Sequence, residues 1–341
     1  MVDKNNDEFD VLLFSSRDIE KVNIPFNIKI ISSCAFEHCK NLRKVEIPMN
    51  SNLETIESHA FSYSNIEKIL IPPKVKKICK FAFGDCQNLT KVEIPMNSNL
   101  EIIESRAFAY SNIEKIFIPP KVTKISESTF ENCQNLTKVE IPPNSNLQLI
   151  CYEAFSGSSI EELYFPASLK ELKEGWCYDT KNLTKITVSP LNDQFIIKEN
   201  KFLFGKSDKN NDEFDVLLFS SRDIEKVNIP FNIKIISSCA FEHCKNLRKV
   251  EIPMNSNLET IESHAFSYSN IGKILIPPKV TRICDSVFFY CENLRKVEIP
   301  KNSNLEIIEL GAFISTKIKK NFLSHQKLQE YMNPRSSIVK I

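Results

Sequence analysis

The sequence predicts a mostly β solenoid of the α/β-repeat kind, in which similar turns stack and their strands form a parallel sheet. Three observations carry that expectation. The segment Asn-Leu-Thr-Lys-Val-Glu-Ile-Pro at 88–95 returns unchanged at 135–142. It recurs as NLRKVEIP at 41–48, 246–253 and 293–300, and more loosely as NLTKITV at 182–188. Prolines closing such segments fall at Pro25, Pro48, Pro72, Pro95, Pro119, Pro142, Pro166 and Pro190, then at Pro230, Pro253, Pro277 and Pro300, every 23 or 24 residues within each series. An Ala-Phe-x-x-Cys element recurs between the prolines. A unit of this length cannot bury an apolar face alone, so stacking must supply the core.

Each element follows from local chemistry. Leu89, Val92 and Ile94 stand at positions 1, 4 and 6 of a run closed by Pro95. This is a strand with one buried face, ended by a residue that cannot donate to a ladder. The isoleucine ahead of Ala-Phe predicts a second, short strand on the opposite side. Ala-Phe-x-x-Cys predicts a short helical turn, 3-10 in type, that drives its phenylalanine inward. The alternation of 23 and 24 residues defines two unit types within a repeat of 47, merging to LxxVxIPxxxxxIxxxAFxxCxxL.

The period breaks over 189–220. There Phe202-Leu203-Phe204 and Val216-Leu217-Leu218-Phe219 flank a polar turn at 207–212, which reads as a β-hairpin appended to the solenoid edge. The plan is a partial hairpin or N-terminal edge at 1–14, a repeat array at 15–190, the hairpin insertion at 191–220, and a second array at 221–320 continuing the same solenoid. A tail follows at 321–341. Within it, 323–332 reads as an amphipathic cap helix with Leu328, Tyr331 and Met332, the polar-faced end a solenoid needs.

A larger duplication lies above the repeat. Residues 3–75 match 208–280 at every position but one, Glu67 against Gly272. The second copy is preceded by Phe202-Leu203-Phe204, a partner strand that the first lacks. Val11, Leu12, Leu13 and Phe14 are therefore expected to form an open edge that pairs with another chain.

These repeated L-x-x-V-x-I-P and A-F-x-x-C motifs resemble the BspA-like, Treponema-type class of leucine-rich repeats, over about residues 15–320. With its abundant Ile, Asn and Lys, the chain is most similar to the BspA-like surface antigens of trichomonads. The resemblance implies a curved solenoid with a parallel, strand-lined concave face. It also implies a cell-surface or secreted protein of the adhesion or recognition type, binding host surface or matrix proteins or copies of itself.

Equivalent positions of a stacked repeat form columns about 4.8 Å apart per rung. In Lys-Val-Glu-Ile the valine and isoleucine point inward, which leaves the Lys and Glu columns on the concave side. The first column includes Lys21, Lys44, Lys68, Lys91, Lys115 and Lys138, then Glu162. The second reads Asn23, Glu46, Leu70, Glu93, Phe117, Glu140, Tyr164, Thr187, and later includes Leu275. One reading is a self-neutralising ladder that keeps the face soluble. The other is a protein-binding face on which Leu70, Phe117, Tyr164 and Leu275 are apolar anchors ringed by charge, with Lys91, Lys115 and Lys138 beside them.

The eleven cysteines read as free thiols. Cys39, Cys86, Cys133, Cys244 and Cys291 hold the AFxxC position, with Tyr63, Tyr110, Gly157 and Tyr268 expected there in the intervening units. Same-column cysteines lie two rungs apart, beyond the reach of about 7 Å for a disulfide. Cys34 and Cys239 are the expected reactive thiols. At Trp176-Cys177 a tryptophan and a cysteine replace Ala-Phe, predicting a repacked core.

Several function classes are set aside. No nucleotide-binding, HExxH or C-x-x-C signature occurs and the five histidines stand apart from any nucleophile, so neither catalysis nor a cofactor or metal is expected. Net charge is +1, which gives no basis for nucleic-acid binding. No apolar run is long enough to insert in a membrane. Residues 1–10 do not read as a signal peptide, and the free thiols keep an intracellular interaction scaffold open as an alternative. A self-assembling structural homodimer, joined through the Val11 to Phe14 edge, is the other.

Overall fold

A valine or isoleucine between two solvated side chains decides which way each rung faces. The structure, a computed structural model, describes residues 10–309 and 311–318 and the backbone of Val339–Lys340. The expected cap at 323–332 and residues 1–9 of the expected N-terminal edge lie outside the described residues. The fold is a mostly β parallel solenoid. The chain divides into two compact units, Met1–Asn182 with Thr187–Asp193, and Leu183–Ile186 with Gln194–Ile341.

In the first unit the Lys-Val-Glu segments form the long ladder. Lys21–Asn23, Lys44–Glu46, Lys68–Leu70, Lys91–Glu93, Lys115–Phe117, Lys138–Glu140 and Glu162–Phe165 follow one another in a single sheet. Pairing is parallel and in register: Lys115 lies against Lys138, Ile116 against Val139 and Phe117 against Glu140. Each rung thus sets like positions side by side, and Val45, Ile69, Val92, Ile116 and Val139 turn inward and are buried. A second ladder runs along another side. Its two-residue strands Val11–Leu12, Ile30–Ile31, Thr55–Ile56, Lys77–Ile78 and Ile102–Ile103 form one sheet, and Lys124–Ile125, Leu149–Ile150 and Glu171–Leu172 another.

The third side departs from expectation. The AFxxC segments are not helical turns, and no helix occurs among the described residues. Left-handed residues recur four apart, as at Cys34 and His38, His59 and Tyr63, or Phe81 and Asp85. Such residues cost roughly 1–2 kcal/mol each and interrupt any i to i−4 helical bonding. The backbone is satisfied in two other ways. Tight turns close locally, with the Ala35 N–H donating to Ser32 O and that of Glu37 to Cys34 O at 3.1 Å each. The alternate N–H groups reach the next rung, where Phe36 donates to Ala60 O at 2.7 Å and His38 to Ser62 O at 2.9 Å. Stacking, not helix propensity, sets this side.

These turns deliver the core. Phe36, Phe61, Phe83, Phe108, Phe130 and Phe155 are fully buried and stack face to face, with centroid spacings from 4.9 to 5.8 Å. Truncating one such ring to alanine costs about 3–5 kcal/mol. The column ends at Trp176, whose ring meets Phe155 edge-on at 6.5 Å and Phe165 at 5.9 Å. Trp176 and Cys177 are buried, so this variant unit is core.

The second unit repeats the scheme. Phe241, Phe266, Phe288 and Phe313 stack, and the long strands Lys226–Asn228 and Lys249–Glu251, then Lys273–Leu275 and Lys296–Glu298, pair in parallel. Its short ladder begins differently. Phe202–Gly205 pairs antiparallel with Val216–Ser220, with a register shift between Leu203 and Phe204. Phe195–Lys198 adds a further antiparallel strand. Val216–Ser220 then pairs in parallel with Ile235–Ile236, so the antiparallel strands cover the start of this ladder.

Candidate functional site

On the long ladder of the first unit the outward side chains form the two columns read from sequence. Strand alternation buries the central residue and exposes the Lys before it. Where the second column holds glutamate, the two side chains pair within the strand. Lys44 Nζ reaches Glu46 at 2.6 Å, Lys91 reaches Glu93 at 2.5 Å and Lys138 reaches Glu140 at 3.1 Å. The Lys91 bond holds the Glu93 carboxyl below its ordinary range, and the bonds from Lys44 and Lys21 do the same for Glu46. Lys249 pairs likewise with Glu251 in the second unit. Where the second column is apolar, the lysine has no such neighbour, and Lys68 and Lys115 make no ion pair among the described residues.

The apolar entries are half-buried. Leu70, Phe117 and Tyr164 stand in the first unit, each in a rung next to a glutamate or threonine rung. They wall two hollows. One, of about 430 Å³, lies over Glu93 between Leu70 and Phe117, with Met49, Lys91, Lys115 and Glu140 around it. The other, of about 420 Å³, lies over Glu140 between Phe117 and Tyr164, with Met96, Lys138, Glu162 and Thr187 around it. The two linings correspond position by position at an offset of 47, so one repeat carries one hollow into the next. Phe117 is the shared wall. Leu275 belongs to the second unit, half-buried and in register with Glu298.

The methionines were not legible as part of this face. Met49 and Met96 follow the strand-closing prolines and are 53% and 70% exposed. Reading the position after each proline would have found them, since Met49 and Met96 stand there 47 residues apart.

The cysteine columns need two corrections. The residues alternating with Cys86 and Cys133 are serines, not tyrosines. Ser64 lies 3.6 Å from Cys86 Sγ and Ser111 lies 3.5 Å from Cys133 Sγ. Tyr63 falls one place earlier, stacked on His38 at 4.7 Å. Rung-to-rung bonding fixes this register, because the N–H groups of His38 and Tyr63 occupy equivalent places in their turns. The Cys86 thiol donates to Phe61 O at 3.0 Å and that of Cys133 to Phe108 O at 3.1 Å. Burial pushes both thiols up to about 12. The second correction concerns Cys34 and Cys239. Cys239 is buried and its thiol is withheld, whereas Cys34 is only partly buried and stays accessible, its thiol raised by burial and then by Glu37.

At the start of the first short ladder, Val11–Leu12 pairs with Ile30–Ile31 on one side and is the end strand of its sheet among the described residues. Leu13 and Phe14 are 52% and 67% exposed, whereas Phe219, the equivalent of Phe14, is 1% exposed.

Stacked parallel rungs, a phenylalanine column and strand-closing prolines define a repeat protein of the leucine-rich class. A model of the BspA type leucine rich repeat region, in six copies, matches residues 9–137, 101–206 and 213–337. The chain belongs to this family. Among solved structures it is similar to a leucine rich cell surface protein of Faecalibacterium prausnitzii, with a TM-score of 0.71 at 23% identity over 94% of this chain and 92% of that one. It is also similar to the pneumococcal vaccine antigen PcpA, with a TM-score of 0.64 at 21% identity over 92% and 84%. A leucine-rich repeat protein of Bacteroides ovatus gives 0.55 at 20% identity over 88% and 77%. At these identities the likeness concerns the fold alone. No curated protein matches the chain by sequence. Among the described residues no helix is long and apolar enough to cross a membrane.

Proposed function

We propose that this is a non-catalytic protein-binding repeat protein that engages its ligand through the Lys/Glu face of the first unit's long ladder. The observation that carries the reading is the pair of hollows walled by Leu70, Phe117 and Tyr164, large apolar groups held half-exposed beside the Lys91–Glu93 and Lys138–Glu140 ion pairs. Apolar anchors inside a charged rim are what a protein interface requires. Lys91, Lys115 and Lys138 form part of that rim, and Leu275 offers a lesser anchor of the same kind in the second unit. The family, the cell-surface description of the Faecalibacterium protein and the antigen description of PcpA support display at the cell surface and a ligand among host surface or matrix proteins. The abundance of Ile, Asn and Lys, by which the sequence resembles trichomonad surface antigens, supports the same reading. The test is surface plasmon resonance against a panel of matrix and cell-surface proteins, with wild type and the Phe117→Ser, Tyr164→Ser double variant. Loss of binding with unchanged circular dichroism is expected, and retained binding overturns the reading.

A second reading, self-association through Val11, Leu12, Leu13 and Phe14, has its own support. The identical segment at 216–219 is covered by Phe202–Gly205 in an antiparallel pairing. Sedimentation of wild type and Leu12→Pro decides it: a concentration-dependent dimer abolished by the proline is expected, and a monomer at high concentration rejects it.

A further inference from the structure

The hollows specify the shape of a ligand as well as the presence of a binding face. Given that the Lys/Glu face binds protein, we infer that its two hollows together receive an extended, proline-rich peptide segment in the polyproline II conformation, with apolar side chains at positions i and i+3 and one carboxylate beside the first hollow.

Spacing selects the conformation. The hollows are related by one 47-residue repeat, which is two rungs, or about 9.6 Å at 4.8 Å per rung. A polyproline II helix turns once in three residues of about 3.1 Å rise, which returns the same edge every 9.3 Å or so. A β-strand returns its face about every 6.7 Å, and a second return overshoots to about 13 Å. An α-helix presents side chains on one face at about 5.4 Å intervals, which sets an intermediate residue onto the Phe117 wall.

The chemistry of the walls suits the same conformation. Polyproline II leaves its backbone carbonyls without internal donors, and its recognition pairs apolar, aromatic-lined hollows with hydrogen-bond donors. Phe117 and Tyr164 supply the aromatic walls and Met49 and Met96 the adaptable ones. Tyr164, which lines the second hollow, also carries a hydroxyl that can donate.

Charge selects one acidic position, beside the first hollow, because Glu162 stands at the second where Lys115 stands at the first. Lys91 and Lys138 are already neutralised by Glu93 and Glu140. Lys115, which lines the first hollow, has no ion partner among the described residues. It lies two residues before Phe117 on the same strand and so on the same face, about 7 Å to the side of the apolar column. A three-edged rod seated by one edge in the hollows turns a second edge toward that lysine, and a carboxylate there completes the pair.

The experiment is fluorescence anisotropy of the intact chain with a fluorescein-labelled, proline-rich peptide carrying leucines at i and i+3 and an aspartate after the leucine of the first hollow only, since Glu162 stands at the second where Lys115 stands at the first. Saturable binding is expected. Inserting one proline between the leucines displaces the second by about 3 Å and is expected to weaken binding about tenfold or more. Phe117→Ser is expected to do the same with unchanged circular dichroism, and Lys115→Ala, which removes one exposed ion pair, to weaken binding by about threefold. Equal binding of the shifted peptide, binding insensitive to Phe117→Ser, or no saturation at millimolar peptide overturns the inference. If the peptides fail while the double variant still loses its protein ligand in the resonance assay, the face stands and only the extended-segment inference falls. If the double variant keeps that ligand, the face itself is wrong.

Discussion

A single thiol illustrates how stacking governs chemistry at the residue scale. Cys86 sits between serine neighbours in its column, donates to the carbonyl of the preceding phenylalanine and is fully buried. Desolvation disfavours the thiolate, and the reactive form is thereby withheld. Cys133 and Cys291 repeat the arrangement, with Cys291 donating to Phe266 O at 3.0 Å. Alkylation of the native protein with iodoacetamide at neutral pH is therefore expected to spare Cys39, Cys86, Cys133, Cys244 and Cys291. Any label is expected on Cys34, Cys151 or Cys284, which are only partly buried. Peptide mapping by mass spectrometry checks this, and label on a column cysteine contradicts it. The thiols' burial was legible from their spacing. Their serine neighbours were legible too, since Ala60-Phe61-Ser62-Tyr63-Ser64 aligned on Ala35-Phe36 sets Ser64 at the cysteine position, and the rung-to-rung bonds hold the same register.

At the scale of an element, the duplicated segment is an internal experiment. Asp10 and Asp215 occupy identical sequences. Asp10 meets Lys29 at 3.1 Å with both side chains well exposed. Asp215 is buried and accepts from the Ser207 backbone N–H at 2.8 Å, its hydroxyl at 2.7 Å and Lys234 Nζ at 2.9 Å. Burial pushes its carboxyl up, but the Ser207 bonds and Lys234 outweigh this and hold it below the ordinary range. Replacing Asp215 by alanine is expected to cost about 2 kcal/mol, since charge-assisted bonds to a buried group are lost. Asp10→Ala is expected to cost under about 1 kcal/mol, as for an exposed pair. Chemical denaturation of the two variants makes the comparison. Because the folded value is lowered, the Asp215 contribution is complete above the unfolded pKa of about 3.9 and is lost as pH falls through the folded one.

Over the whole molecule the balance of charge is the controlling quantity. Net charge is +1 from 44 basic and 43 acidic residues, so lysine columns at rung spacing are tolerated only while the glutamates between them stay ionised. Glu46, Glu93, Glu251 and Glu298 are all held below their ordinary range, first by the lysine of their own strand. Their contribution is therefore present above the unfolded value near 4.3 and disappears as pH falls through the lower folded values. Thermal melts are expected to show the transition falling below about pH 4.3, with a change in the effect of salt. At pH 7 salt weakens lysine–glutamate attraction, and at pH 3 it screens lysine–lysine repulsion and stabilises. A melting temperature independent of salt at both pH values would contradict the ladder's role.

The sequence by itself determined the repeat length, the inward valines and isoleucines, the buried phenylalanine column and the chemistry of the two outward columns. These depend on strand alternation and on a period short enough to read along the chain. Leu70, Phe117 and Tyr164 were visible in this way as breaks in a charged column. What only the tertiary structure decided depends on neighbours a full turn away. Left-handed turns replaced the expected helical ones because bonds to the next rung outcompete bonds within the segment. The methionines after Pro48 and Pro95 joined the apolar entries as two equivalent hollows. The same Val-Leu-Leu-Phe became, among the described residues, an end strand at Val11–Leu12 followed by exposed Leu13 and Phe14, and a covered strand at Val216 to Phe219. A side chain's partners across a solenoid are set by which rung stacks against it, and identical sequence carries no record of that.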